Sequence, residues 1–220
     1  MTLLADQQMA YGLACKFLGS AFHKPIQPSM WQHILEDGLF ENWMLANDDP
    51  FTARGLQLLT AFTVNADDTT LDVVERDYAA LFVGPTKLKA PPWESVYLSR
   101  DHILFEKQTA QVRAFYAQYG LQTTQLHTEP DDHFGVELLF VAHLLISALA
   151  QSEDNPVGQA QMMISISQFL QAHLLQWSEP FLARVVYHAE TDYYRGLAYV
   201  TAGMLSSLCR ELALDWELEL

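Results

Sequence analysis

Apolar side chains recur at three- and four-residue steps along almost the whole chain, and that spacing predicts helices. Leu3, Leu4, Met9, Tyr11, Leu13, Ala14, Phe17 and Leu18 set out an amphipathic opening helix that Pro25 and Pro28 end. Short helices are expected over 31–35 and 40–45, on either side of Gly38. Asn47-Asp48-Asp49-Pro50 reads as a turn, 51–64 as a helix, and 65–69 as a capped turn ahead of a helix over 70–82. Gly84, Pro85, Pro91 and Pro92 break the pattern. A helix over 99–119 follows, stopped by Gly120, and then a polar connector over 121–128. The next helix runs from Pro130 to Ser152. Asn155-Pro156 opens another, to Trp177, and Glu179-Pro180 opens the one after it. The last helix, over 191–214, carries Leu197, Val200, Met204, Leu208 and Leu212 on one face. No strand-like alternation, internal repeat or low-complexity tract interrupts this. The expected architecture is all-α: a single domain over 1–220, bundling about ten helices.

Composition narrows the function classes. Half of the 220 residues are hydrophobic, enough for a sizeable core, and only 18% are charged. The charges are lopsided, 27 acidic against 12 basic, for a net charge of −15. Phosphate contacts need clustered Lys and Arg, so no nucleic-acid partner is expected, and an anionic membrane surface is disfavoured. A cationic partner fits, and so does a merely solvated acidic surface. Cys15 and Cys209 form no CxxC pair and read as buried cytosolic thiols. Met1-Thr2-Leu3-Leu4-Ala5-Asp6 lacks the basic start of a signal peptide. The most apolar stretch, 134–150, is short for a bilayer span and carries Glu137 and His143, so no stable membrane insertion is expected. The expected location is the cytoplasm.

Two segments do not read as core filler. The first runs from Gly84 to Tyr97. Its prolines stiffen a long loop, and Trp93 and Tyr97 offer large amphipathic surfaces. The bland reading makes Trp93 a core plug. Just ahead of it, Tyr78, Leu81 and Phe82 cluster at helical spacing and would alone be read as core. The second segment is Thr128-Glu129-Pro130-Asp131-Asp132-His133. A helix start explains Pro130 and one or two carboxylates, with Thr128 as cap. It does not explain His133, which shares a helix face with Glu137. His127, Glu129, His133, Glu137 and His143 match no HExxH spacing, so no metal site is expected. GxSxG, GxGxxG and GxxxxGK[ST] are all absent. A straight helix over 99–119 would be about 30 Å long and would hold the two segments near its opposite ends, unless the 84–94 loop folds back beside it.

Together, Asp77-Tyr78-Ala79-Ala80-Leu81-Phe82-Val83-Gly84-Pro85, Pro91-Pro92-Trp93-Glu94-Ser95-Val96-Tyr97, Glu129-Pro130-Asp131-Asp132-His133-Phe134-Gly135 and the stretch from Phe169 to Trp177 resemble the TorD/DmsD family of redox-enzyme maturation chaperones, closest to its DmsD branch. The resemblance implies an all-helical cytoplasmic protein that binds the twin-arginine signal peptide of a molybdopterin reductase catalytic subunit, typically a dimethyl sulfoxide or trimethylamine N-oxide reductase. The precursor is held until its cofactor is inserted and is then released for export. Contacts with translocation or cofactor-loading machinery fit that role. No catalytic residue, metal or cofactor of the chaperone's own is implied. Position by position, the signal-binding surface falls on Tyr78, Leu81, Phe82, Trp93, Glu129, Pro130, Asp132 and His133, with Gly84, Pro85, Pro91, Pro92, Glu94, Tyr97 and Glu106 in support. Tyr78 stands where relatives have tryptophan, and Glu106 where the DmsD pattern favours glycine. Glu129, Asp131 and Asp132 would pair with arginine guanidiniums, and the aromatics would line a groove for the apolar part of the signal. The acidic charge would speed encounter with a basic peptide. The competing reading is a small hydrolase or nucleotide-binding enzyme using Asp132 and His133. Guanine nucleotides are proposed ligands of relatives, although no nucleotide motif is present here.

Overall fold

The computed structural model describes residues 3–46, 48–85, 87–100, 104–123, 129–151, 155–216, 218 and 220. Asn47, His127, Thr128 and Ser152, expected as turn, ligand candidate, cap and helix end, lie outside the described residues. Ten α-helices form among the described residues: α1 (Ala5–His23), α2 (Pro28–Asp37), α3 (Pro50–Val64), α4 (Thr70–Tyr78), α5 (Glu94–Leu98), α6 (Lys107–Gln118), α7 (Phe134–Ala150), α8 (Pro156–Phe169), α9 (Leu175–His188) and α10 (Asp192–Glu211). One π-helical turn, Ala79–Val83, continues α4, and another, Leu170–Leu174, joins α8 to α9. The only pairing of extended segments among the described residues is an isolated antiparallel bridge between Trp93 and His133. The all-α class read from the sequence is the class observed.

One domain over 1–220 was expected, and the chain resolves into two compact units, each drawn from separated stretches. The first comprises 1–23, 92–178 and 211–215; the second comprises 24–91, 179–210 and 216–220. In the first, α1 lies along α7. Gly12, Cys15, Leu18, Gly19 and Phe22 are buried on one face of α1. A Cβ on Gly19 would stand 2.7 Å from the Gly135 carbonyl oxygen, and one on Gly12 would stand 2.9 Å from Ile146. Small residues thus let the two backbones come unusually close. Helix α7 is buried on most sides, as its largely apolar sequence demands.

In the second unit, α3 and α10 meet through Gly55 and Gly196: a Cβ on Gly55 would lie 2.6 Å from the Gly196 oxygen. Asp49 caps α3 by accepting the Phe51 amide at 2.9 Å. Trp31, Phe40 and Phe62 pack around Tyr193. Asp77, buried, accepts the Thr191 amide at 2.8 Å and the Thr191 hydroxyl at 2.7 Å, and so anchors Thr191, whose hydroxyl accepts the Tyr194 amide at 3.3 Å and caps α10.

Several boundaries differ from expectation, each for a physical reason. Residues 40–45 form turns rather than a helix. Gly38 leaves α2 in the left-handed conformation, and the Asn42 amide binds the Asp37 and Gly38 carbonyls. The helix expected over 99–119 begins only at Lys107, behind Phe105 at φ 61°. A separate short helix, α5, starts at Glu94. Helix α7 starts at Phe134 rather than Pro130, because the preceding residues are tied into tertiary hydrogen bonds. Pro180 opens no helix: it sits inside α9, where buried Trp177, Phe181, Leu182 and Val185 carry the helix past it.

Candidate functional site

The two segments singled out in the sequence divide between the units. Tyr78, Leu81, Phe82, Gly84, Pro85 and Pro91 belong to the second unit. Pro92, Trp93, Glu94, Tyr97, Glu106, Glu129, Pro130, Asp132 and His133 belong to the first. In the second unit, Tyr78, Leu81 and Phe82 are core. Phe82 packs against Tyr78, Phe181 and Tyr194 with centroids 5.3 to 6.1 Å apart. Gly84, at φ 96°, ends the π turn, and the following loop returns to donate the Ala90 amide to the Leu81 carbonyl at 3.1 Å.

In the first unit, Trp93 and the turn 129–133 come together. The chain at Pro92–Trp93 runs antiparallel to 132–134: the Phe134 amide donates to the Pro92 carbonyl at 2.8 Å, and the Glu94 amide to the Asp132 carbonyl at 2.9 Å. The Trp93 and His133 rings meet edge to face, 5.9 Å between centroids. The separation that a straight helix over 99–119 would impose does not arise, because that helix is not formed. Trp93 is half-buried, and its indole N–H meets no acceptor among the described residues.

The two aspartates of the turn face inward. Asp132 is fully buried. One carboxylate oxygen accepts the Ser95 amide at 2.7 Å and the other the Thr109 hydroxyl at 2.7 Å. It therefore caps α5 and ties it to α6. Asp131, also fully buried, accepts the Arg113 Nε at 2.7 Å and the Thr123 hydroxyl at 2.6 Å. Both aspartates, expected to pair with a ligand's guanidiniums, face inward here, and the arginine on Asp131 is the protein's own Arg113. Glu129 differs, with a side chain 25% exposed. Pro130 is buried. Glu106 caps α6 only with its backbone, and Tyr97 packs on Trp177 at 5.3 Å.

His133 is the N-cap of α7. It has extended backbone, and its Nδ1 accepts the Gly135 amide at 3.1 Å. The free proton therefore sits on Nε2, which faces Glu129 at 3.9 Å. Burial, joined by the positive charge of His23 and opposed by Glu129, lowers its pKa to about 3, so His133 is neutral at physiological pH. His23, the last residue of α1, was not singled out in the sequence. It puts Nε2 3.6 Å from Glu129, with its ring 5.1 Å from that of His133.

Beneath this turn lies a buried polar cluster. Glu94 accepts from His173 Nδ1 at 3.0 Å, and Trp177 Nε1 donates to Glu137 at 3.4 Å. Burial, with the nearby charges of Glu94 and Asp132, pushes the Glu137 pKa well above the usual carboxylate range. Its second oxygen faces no donor, and a proton on that oxygen, given to Glu94, satisfies both acids. Glu94 thus sits in a buried cluster whose other members, His173 and Glu137, are partners that only the tertiary structure reveals. No group of three or more His, Cys, Asp or Glu among the described residues is placed to hold a metal ion.

Residues 46–183 match the nitrate reductase delta subunit family. The chain belongs to that family. Within it, the chain is 28% identical over 192 residues to the Tat proofreading chaperone DmsD of Salmonella typhi, covering 87% of this chain and 85% of that one. It is also 28% identical over 211 residues to the chaperone protein YcdY of Escherichia coli, covering 94% and 98%. A crystal structure described as that of a candidate redox enzyme maturation protein from Archaeoglobus fulgidus superposes with a TM-score of 0.50 at 16% identity, over 91% of this chain and 94% of the other. The TorD/DmsD resemblance read from the sequence is thereby shown, and the delta subunit family here is that of the redox-enzyme maturation chaperones. None of its helices among the described residues is long and apolar enough to cross a membrane.

Proposed function

We propose that this protein is a cytoplasmic proofreading chaperone that binds the twin-arginine signal of a molybdopterin reductase of the dimethyl sulfoxide reductase type and releases it after cofactor insertion. The observation that carries this reading is the pairing of Trp93 with His133 beside Glu129, the carboxylate of the turn that reaches solvent. A guanidinium docks on Glu129 in bidentate fashion, and the half-exposed Trp93 offers an aromatic surface alongside. Asp132 and Pro130 hold this arrangement from below. Tyr78, Leu81 and Phe82 are buried within their own unit, so a role for them in gripping the apolar part of the signal requires that unit to open. The net charge of −15 favours encounter with a basic peptide. The hydrolase reading would need Asp132 or His133 accessible. Both are buried, both Asp132 oxygens are occupied and His133 Nδ1 is engaged, so the geometry favours binding over catalysis.

Calorimetric titration with a synthetic twin-arginine signal peptide tests the reading, run beside the same peptide with both arginines changed to alanine. Micromolar or tighter binding of the first, weakened about tenfold or more in the second, is expected. Equal binding of both peptides would remove Glu129 from recognition, and binding of neither would remove the chaperone reading.

A further inference from the structure

The first part-exposed positions of α7, Val136, Leu139 and His143, fall on one stripe at helical spacing. With Phe140 this stripe lines a cleft of about 220 Å³, which Tyr116 of α6 and Thr123 beyond the end of α6 also line. The cleft belongs wholly to the first unit. Its lining is mainly apolar and, among the described residues, contains no Lys, Arg, Asp or Glu. Tyr116 is buried and His143 exposed, so the cleft deepens from the one end towards the other. Two hydrogen bonds join it to the acidic turn. The Thr123 hydroxyl donates to the Asp131 carboxylate at 2.6 Å, and the Tyr116 hydroxyl donates to the Asp131 carbonyl at 3.2 Å.

Size and chemistry choose the occupant. About 220 Å³ is below the roughly 300–1,000 Å³ of sites that take a whole small molecule, so a nucleotide does not fit. With no basic residue in the described lining, a phosphate or carboxylate would find no countercharge there. One apolar side chain of a peptide suits both the volume and the walls. Building on the signal-binding reading above, we infer that this cleft seats one apolar side chain from the stretch that follows the arginines of the twin-arginine signal. The reach agrees. Val136 and His143 lie about 4.5 and about 15 Å along α7 from its N-cap His133. One to four extended peptide residues span about 3–14 Å. A residue up to about four positions past an arginine at the turn therefore arrives over the cleft. Holding the apolar stretch here needs no opening of the second unit, where Tyr78, Leu81 and Phe82 are buried.

The test uses the full-length chain and a synthetic twin-arginine signal peptide. A diazirine analogue of leucine is placed in the apolar stretch just after the arginines, the complex is irradiated, and the labelled residues are mapped by mass spectrometry. Labels are expected within 116–123 and 136–143. Calorimetric titration then compares peptides with leucine and with alanine at that position, and wild type should bind the leucine peptide about tenfold more tightly. Val136→Phe narrows the cleft, and His143→Trp covers it from an exposed position whose replacement leaves the core intact. Both variants should bind the two peptides alike, at the affinity of wild type for the alanine peptide. His143→Trp keeps the test decisive if Val136→Phe folds poorly. Labels confined to other residues, such as 78–82, overturn the inference and leave the chaperone reading standing. So does a wild type that binds both peptides alike, or a leucine preference that survives in the folded variants. Absence of binding of either peptide by wild type overturns both.

Discussion

At the scale of single residues, the acidic turn sorts by what surrounds each carboxylate rather than by its place in the motif. Glu129, Asp131 and Asp132 are near neighbours in sequence, yet only Glu129 reaches solvent. Asp132 holds a backbone amide and a threonine hydroxyl in the interior, so removing it strands two buried donors. Asp132→Ala is expected to lower unfolding stability by about 2–4 kcal/mol. Asp132→Asn keeps one acceptor and should lose roughly half as much. Denaturant unfolding gives both values. Peptide affinity of the folded Asp132→Asn protein should match wild type. A variant of native stability that binds tenfold more weakly would instead place Asp132 in contact with the ligand. His133 obeys the same logic: its ring nitrogen caps a helix and its neutrality follows from burial, so its role in the turn is shape.

At the scale of elements, the sequence announces what is local and conceals what is tertiary. The helices α1, α3 and α10 follow from apolar periodicity and form close to where that pattern places them; α8 starts at Pro156 as its Asn-Pro signal predicts, but ends at Phe169, where a π turn replaces the expected run to Trp177. Other features are set by partners far along the chain: Asp132 caps α5 from the turn before α7, and Asp77 anchors the start of α10 across more than a hundred residues. The candidate site shows the same division. Trp93, Glu129 and His133 stand out by residue type and spacing, whereas His23 and His173 carry no local signal and become legible only when α1 and the π turn Leu170–Leu174 are in place. The close crossing of α1 and α7 is also tertiary, although its small residues can be seen in the sequence. A Cβ on Gly135 would lie 2.7 Å from the His23 amide nitrogen and 2.8 Å from its Cβ, against backbone that cannot swing aside. Gly135→Ala should therefore cost about 1–3 kcal/mol, which thermal unfolding reads. A Gly135→Ala protein as stable as wild type would mean that the helices slide apart without loss.

At the scale of the whole molecule, two buried groups pull stability in opposite directions as pH changes. His133 has a folded pKa near 3, below its ordinary 6.5, so its contribution is complete above about pH 6.5 and is lost as pH falls towards 3. Glu137 has a raised pKa, so its contribution is complete below its ordinary 4.5 and is lost as pH climbs through the folded value. Where both titrate, each changes stability by about 1.4 kcal/mol per pH unit with opposite sign, and the sum is flat just above pH 4.5. On the alkaline side Glu137 acts alone among this pair, and the self-repulsion of a chain carrying −15 adds to the decline. Glu137→Gln separates the two terms. Glutamine mimics the protonated acid, accepting from Trp177 and donating towards Glu94, while leaving the remaining charges in place. The variant should match wild type near pH 4.5 and become progressively more stable than it as pH rises, with the residual decline of the variant reporting charge repulsion. Parallel unfolding profiles for the two proteins from pH 4.5 to 8.5 would mean that Glu137 takes up no proton on folding and is ionised in the fold.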